Sequence, residues 1–134
     1  MLNLPSLGEI DRGIGCRIYL CTQPADMRKG FDSMAALVKD SLGHDPLSHN
    51  LFLFVGRNKD RIKILQWDSD GFLLWYKRLE EGTFRLPSVK NTGANVPSLE
   101  LKASELAMLL EGIDLVSIKR RKRFTYPAPK KVEK

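Results

Sequence analysis

The sequence is poor in the residues that carry covalent and metal chemistry, with two cysteines and two histidines in 134 residues. Cys16 and Cys21 stand at C-x4-C spacing. That is neither a redox CxxC nor half of a zinc site, and no second cysteine pair is present to complete a tetrahedron. Two ordinary reduced thiols are expected, and on a strand their odd offset would put them on opposite faces. His44 and His49 share the loop GHDPLSHN with Asp45. They could hold a metal, but without an evident third ligand solvated histidines are the simpler reading, and no metal or other cofactor is expected. The sequence also lacks GxSxG, Walker, GxGxxG and HExxH patterns, so no enzymatic activity is expected.

Long apolar runs are missing too. The longest, Leu51–Val55 and Phe72–Tyr76, fall far short of the ~18 residues of a membrane helix. The opening MLNLPSLGEIDRG has no charged segment followed by an apolar one, so no secretory leader is expected. The expectations are a cytoplasmic location and no membrane partner.

Enough apolar residues are present, 43%, to build the core of a single domain. The net charge of +6 is unevenly spread. Residues 117–134 hold eight bases against the single acid Glu133, a charge of +7, while fourteen bases and fifteen acids leave the remainder at −1. The basicity is therefore local, and acts over about one Debye length, ~8 Å at physiological salt.

Periodicity divides the chain. Residues 1–15 read as an N-terminal arm, residues 16–116 as an α+β domain, and residues 117–134 as a flexible basic tail with little to bury. Arg17–Leu20 reads as a short strand. Met27, Phe31, Met34, Val38 and Leu42 recur at helical spacing, with Gly43 and Pro46 as stops. Leu51–Val55, Arg61–Trp67 and Phe72–Leu79 read as strands of an antiparallel meander, joined by the turns Arg57–Asp60 and Asp68–Gly71. The run Asp68-Ser69-Asp70-Gly71 opens like a calcium loop. However, Leu73 and Leu79 occupy the sixth and twelfth positions, where an EF-hand needs Gly and Glu. A plain turn with Gly71 at positive φ is the better account. Residues 87–98 read as a loop, and Leu99–Leu101 as a short run. A second, C-terminal helix then follows, capped by Ser104, holding Leu106, Leu109, Leu110 and Ile113, and ended by Gly112.

An even turn at Asp68–Gly71 sets Trp67 against Phe72, Lys63 against Tyr76 and Arg61 against Arg78. One face of the hairpin then carries Ile62, Ile64, Leu73, Trp75 and Leu79, expected as core beneath the first helix. The other carries Arg61, Lys63, Trp67, Tyr76 and Arg78 beside Leu65, Leu74 and Phe72. Cations among aromatics suit nucleic acid, the charges holding phosphates and the rings stacking on bases. The alternative is that the apolar half packs on another element while the bases are solvated. The tail cluster Lys119, Arg120, Arg121, Lys122 and Arg123 points to polyanion contact. A partner's acidic surface or a merely solubilising terminus would also fit it.

Two segments carry a resemblance. Pro24–Asp32 (P-A-D-M-R-K-G-F-D) and Trp67–Glu80 (W-D-S-D-G-F-L-L-W-Y-K-R-L-E) resemble the TnpB, or Orf2-like, accessory proteins of the IS66 class of bacterial insertion sequences. The likeness extends over roughly Arg17 to Leu115 and implies a protein, encoded beside a separate transposase, that supports transposition. The expected partners are accordingly DNA and the element's transposase. The chain is too short to be one of the RNA-guided nucleases that share the name TnpB. Within Pro24–Asp32, Arg28 and Lys29 would lie near a helix start, where the dipole disfavours cations. Either they hold an anion such as a phosphate, or the helix begins only after Gly30 and both cations are solvated.

Overall fold

A computed structural model describes residues 16–87 and 96–112. The expected N-terminal arm, the basic tail with Lys119–Arg123, and Ile113 lie outside the described residues. Five strands form one sheet: β1 (Ile18–Cys21), β2 (Leu51–Val55), β3 (Arg61–Asp68), β4 (Gly71–Arg78) and β5 (Ser98–Leu101). Helix α1 (Phe31–Asp40) joins β1 to β2, and α2 (Ala103–Glu111) follows β5.

The strand order is β4-β3-β2-β1-β5. Short polar connections make β2, β3 and β4 the expected antiparallel meander. The crossover through α1 brings β1 in parallel to β2. The late strand β5 closes the far edge antiparallel to β1. The fold is α+β, with a sheet wider than the meander alone.

Strand β2 is buried along its whole length, as its two-sided apolar sequence requires. Leu51, Leu53 and Val55 join Ile62, Ile64, Phe84, Leu106 and Leu109 in one core. Phe52 and Phe54 join Leu65, Met34, Val38 and Leu42 in another. The sheet is thus sandwiched, with α2 on one face and α1 on the other. Cys16 falls in the first core and Cys21 lies against the second, so the two cysteines sit on opposite sides of the sheet.

This arrangement corrects the expected facing. The first helix covers the Leu65, Phe72 and Leu74 side of the hairpin, whereas Ile62, Ile64 and Trp75 pack beneath α2 and Phe84. Both faces are apolar enough to be buried, and strand alternation alone does not say which helix takes which.

Local starts and turns differ in detail. Helix α1 begins after Gly30, whose extended backbone (φ −107°, ψ −152°) breaks the helical period and leaves Met27 outside. Asp32 sits in its first turn and Lys39 in its last, both favourable to the dipole. Helix α2 is capped at Lys102 rather than Ser104: the Lys102 amide donates to Glu105 Oε1 at 2.7 Å. Gly112 ends it at φ 85°, as expected. In the β3–β4 turn the left-handed residue is Ser69 (φ 57°), not Gly71. Asp68 and Gly71 already pair as the last rung, so the turn proper is Ser69-Asp70. The expected register of Trp67 with Phe72, Lys63 with Tyr76 and Arg61 with Arg78 holds.

Candidate functional site

The Pro24–Asp32 segment leaves the end of β1 and runs on beside β2. The Ala25 amide donates to the Val55 carbonyl at 2.9 Å, and Ala25 bridges Gly56 in parallel. Met27 then lies on Gly56 so closely that a Cβ at Gly56 would stand 2.9 Å from Met27 Cγ. That close approach is what requires glycine at this position. Asp26 turns the chain. Its carboxylate accepts from the Arg28 amide (2.9 Å), from Arg28 Nε (3.0 Å) and from Nη2 (2.9 Å). The Arg28 side-chain hydrogen bonds hold the Asp26 carboxyl down at about 2.

The far end of the segment is fastened by Lys63. Its side chain is 7% exposed and its ammonium donates to the Lys29 carbonyl at 2.8 Å. The same ammonium sits 4.7 Å from the centre of the Tyr76 ring, a cation–π distance. Lys63 is therefore an internal strut, turned to the Lys29 carbonyl and outside the cleft lining. Alternation gave its face correctly, and α1 then covered that face.

Opposite the segment stands the β2–β3 turn. Gly56 donates to the Arg61 carbonyl and Lys59 to the Gly56 carbonyl. The chain beyond β4 braces the turn, Leu79 donating to the Asp60 carbonyl and Phe84 to the Lys59 carbonyl, each at 2.7 Å. Between these two fixed walls lies an open cleft of about 630 Å³. Four cations, Arg28, Lys29, Arg57 and Arg61, line it with the carboxylates Asp26 and Asp60. Asp26 is committed to Arg28, and no ion pair among the described residues engages Lys29, Arg57 or Arg61. The cleft therefore carries excess positive charge beside concave walls, a setting that concentrates anions.

The remaining expected residues separate into two groups. Arg78 pairs across the hairpin with Arg61 and reaches Glu80 Oε2 at 3.3 Å. Tyr76 is 49% exposed, with Lys63 on its inner side. Trp67 is at the other end of the hairpin, half-buried and packed edge-on against Phe72 at 5.0 Å. It is six residues from Arg61, roughly 20 Å along a strand. The structure thus gathers Arg28, Lys29 and Arg61 into one cleft with Arg78 and Tyr76 at its side, and leaves Trp67 apart. The helix begins only after Gly30, as the second of the two readings had it, with Arg28 and Lys29 in the loop before it.

Arg57 was not anticipated, because a polar turn reads as punctuation whatever its charge. Phe31, one of the apolar residues at helical spacing, is 48% exposed. His44 packs its ring on Tyr19 at 4.1 Å rather than standing free in its loop. No group of three or more potential metal ligands exists among the described residues. No helix among them is long and apolar enough to cross a membrane.

A family model described as IS66 Orf2 like protein matches residues 16–120, which takes in every residue of the cleft. The chain belongs to this family. It is an insertion-sequence-associated protein. Two relatives come from Sinorhizobium fredii. The uncharacterized protein y4jC is 37% identical over 107 residues, covering 80% of this chain and 87% of its own. The uncharacterized protein y4hO is 38% identical over 102 residues, covering 76% and 84%. No solved structure matches the chain.

Proposed function

We propose that the protein is a non-catalytic accessory factor in transposition that holds nucleic-acid phosphates in the cleft between the Pro24–Asp32 segment and the β2–β3 turn. The supporting observation is the convergence of Lys29, Arg57 and Arg61, with Arg28, on one braced concavity. Cations borne on a braced backbone have less conformational freedom to lose on meeting a phosphate than cations on a loose loop, and each contact releases counterions from the nucleic acid. Arg78, opposite Arg61 across the hairpin, extends the basic surface, and the Lys119–Arg123 cluster adds five cations in sequence.

The test is a salt titration of fluorescence anisotropy, using labelled DNA from the element's ends and unrelated DNA of equal length. It compares the full chain, an R57Q/R61Q chain and a chain with Lys119–Arg123 replaced by glutamines. Removing two phosphate contacts should weaken binding uniformly across sequences and lower the slope of log affinity against log salt by about 2. Absence of binding at low salt, or binding that depends only on the tail, refutes the cleft. A second reading is favoured by exposed Phe31 and Tyr76: an adaptor that binds the separately encoded transposase. It expects salt-resistant copurification with the transposase and no affinity for DNA.

A further inference from the structure

Tyr76 stands beside the cleft in a way the phosphate contacts do not use. It pairs directly with Lys63 across the hairpin and is therefore diagonal to Arg61, a neighbour at roughly 7–8 Å. Arg61 lines the cleft and Lys63 does not. The inner side of the Tyr76 ring rests on the Lys63 ammonium, while half of the residue's surface stays open. A cation held beneath a ring draws on its negative face and fixes its position. The opposite face is then a rigid, electron-poor platform suited to an electron-rich partner ring. Phe31 follows two residues after Lys29, whose carbonyl is 2.8 Å from that same ammonium, so a second exposed ring belongs to this neighbourhood.

A platform next to a phosphate cleft selects among nucleic acids. In a duplex each base face is covered by its neighbours, and a protein ring reaches it only by wedging steps apart or flipping a nucleotide out. In a single strand the base faces are free to stack on a side chain while the backbone follows a basic groove. Trp67 does not serve this purpose, since Phe72 already packs on it and it is far from Arg61.

We infer that the site takes an unpaired segment of nucleic acid, with its phosphates in the Arg57–Arg61 cleft and one base stacked on the outer face of Tyr76. The inference rests on the nucleic-acid reading proposed above and names the strand state that reading leaves open. DNA and RNA single strands share the required chemistry.

The experiment measures anisotropy of the full chain at low salt with labelled single-stranded DNA, single-stranded RNA of the same sequence and a DNA hairpin duplex. The variants are Tyr76→Ala, Tyr76→Phe and R57Q/R61Q. Single strands should bind more tightly than the duplex, and their ranking names the natural strand. Tyr76→Ala should weaken single-strand binding about tenfold, the equivalent of ~1.4 kcal/mol and within the range for one stacked base. Tyr76→Phe should retain it, and the duplex should respond to neither. Photocrosslinking of a 5-iodouracil strand to the unaltered chain should label Tyr76, which keeps the test decisive if Tyr76→Ala fails to fold. Duplex preference, an indifferent Tyr76→Ala or a crosslink elsewhere overturns the stacking inference. If R57Q/R61Q still weakens binding in those cases, the phosphate cleft survives. No binding to any probe overturns both.

Discussion

Replacing Lys63 by methionine isolates the strut, because the variant keeps the aliphatic stem and removes only the ammonium. Three effects compete. The hydrogen bond to the Lys29 carbonyl has a charged donor, which typically contributes about 1.5–3 kcal/mol. The cation–π contact with Tyr76 adds about 1 kcal/mol. Against both stands the cost of keeping an ammonium away from water at 7% exposure, with no carboxylate paired to it. Because the carbonyl it serves belongs to a surface loop, water can replace part of the lost bond. The expected net loss in global stability is about 1–2 kcal/mol, or roughly 4–8 °C in Tm for a domain of this size. The local effect should be larger than the global one. The Pro24–Asp32 segment has two anchors on the sheet side, Ala25 to Val55 and Lys63 to Lys29, and the variant removes the second. Amide exchange at Arg28, Lys29 and Gly30 should accelerate beyond what the global change explains. Urea unfolding followed by hydrogen exchange measures both. A Lys63→Met chain as stable as the parent, with unchanged exchange at those amides, would show that the buried ammonium holds nothing in place.

Gly56→Ala should destabilise by about 1–2 kcal/mol, since the new methyl meets Met27 Cγ at 2.9 Å. Adding Met27→Ala should recover part of that loss, a positive coupling that chemical denaturation of the single and double variants detects. Asp26 should titrate at about 2 by NMR and return toward the ordinary carboxylate value in Arg28→Gln. A depressed folded-state value means that the turn's ionic support is complete above the unfolded value near 4. That support is lost as pH falls through about 2, so slower loop exchange should persist down to pH 4 and fail below it.

The sequence made the hairpin legible because its turn is short and even: once Asp68 and Gly71 pair, every rung follows, including the opposition of Lys63 to Tyr76. The identity of the covering helix was not legible, because Ile62 and Ile64 on one face and Leu65 and Leu74 on the other are equally apolar. Which face lies under α1 is decided by the path of the chain from β1 to β2, and no local pattern records that path. The same gap hid the burial of Lys63. A cation alternating with apolar residues normally marks a solvated face, yet this one lies under the segment leading into α1, where the Lys29 carbonyl accepts its hydrogen bond. Arg28, Lys29 and Arg61 were singled out for separate reasons, and their convergence needed the parallel step from Ala25 to Gly56. Arg57 carried no signal beyond its charge.

The order of the strands has a consequence for how the protein emerges from the ribosome. All the residues that line the cleft lie between Pro24 and Arg61, whereas β1 finds its outer partner only when Leu101 is made. At ~5–20 residues per second, roughly 2–8 s separate the synthesis of Arg61 from that of Leu101. Once Phe84, the last brace of the β2–β3 turn, is made within that interval, the nascent chain holds both walls of a basic groove and their braces, while one edge of β1 still lacks its neighbour and the core beneath α2 is open. A chain stalled or cut in that window would present phosphate-binding walls on an unfinished sheet. Affinity for nucleic acid and resistance to proteolysis should therefore be acquired at different chain lengths, with affinity first.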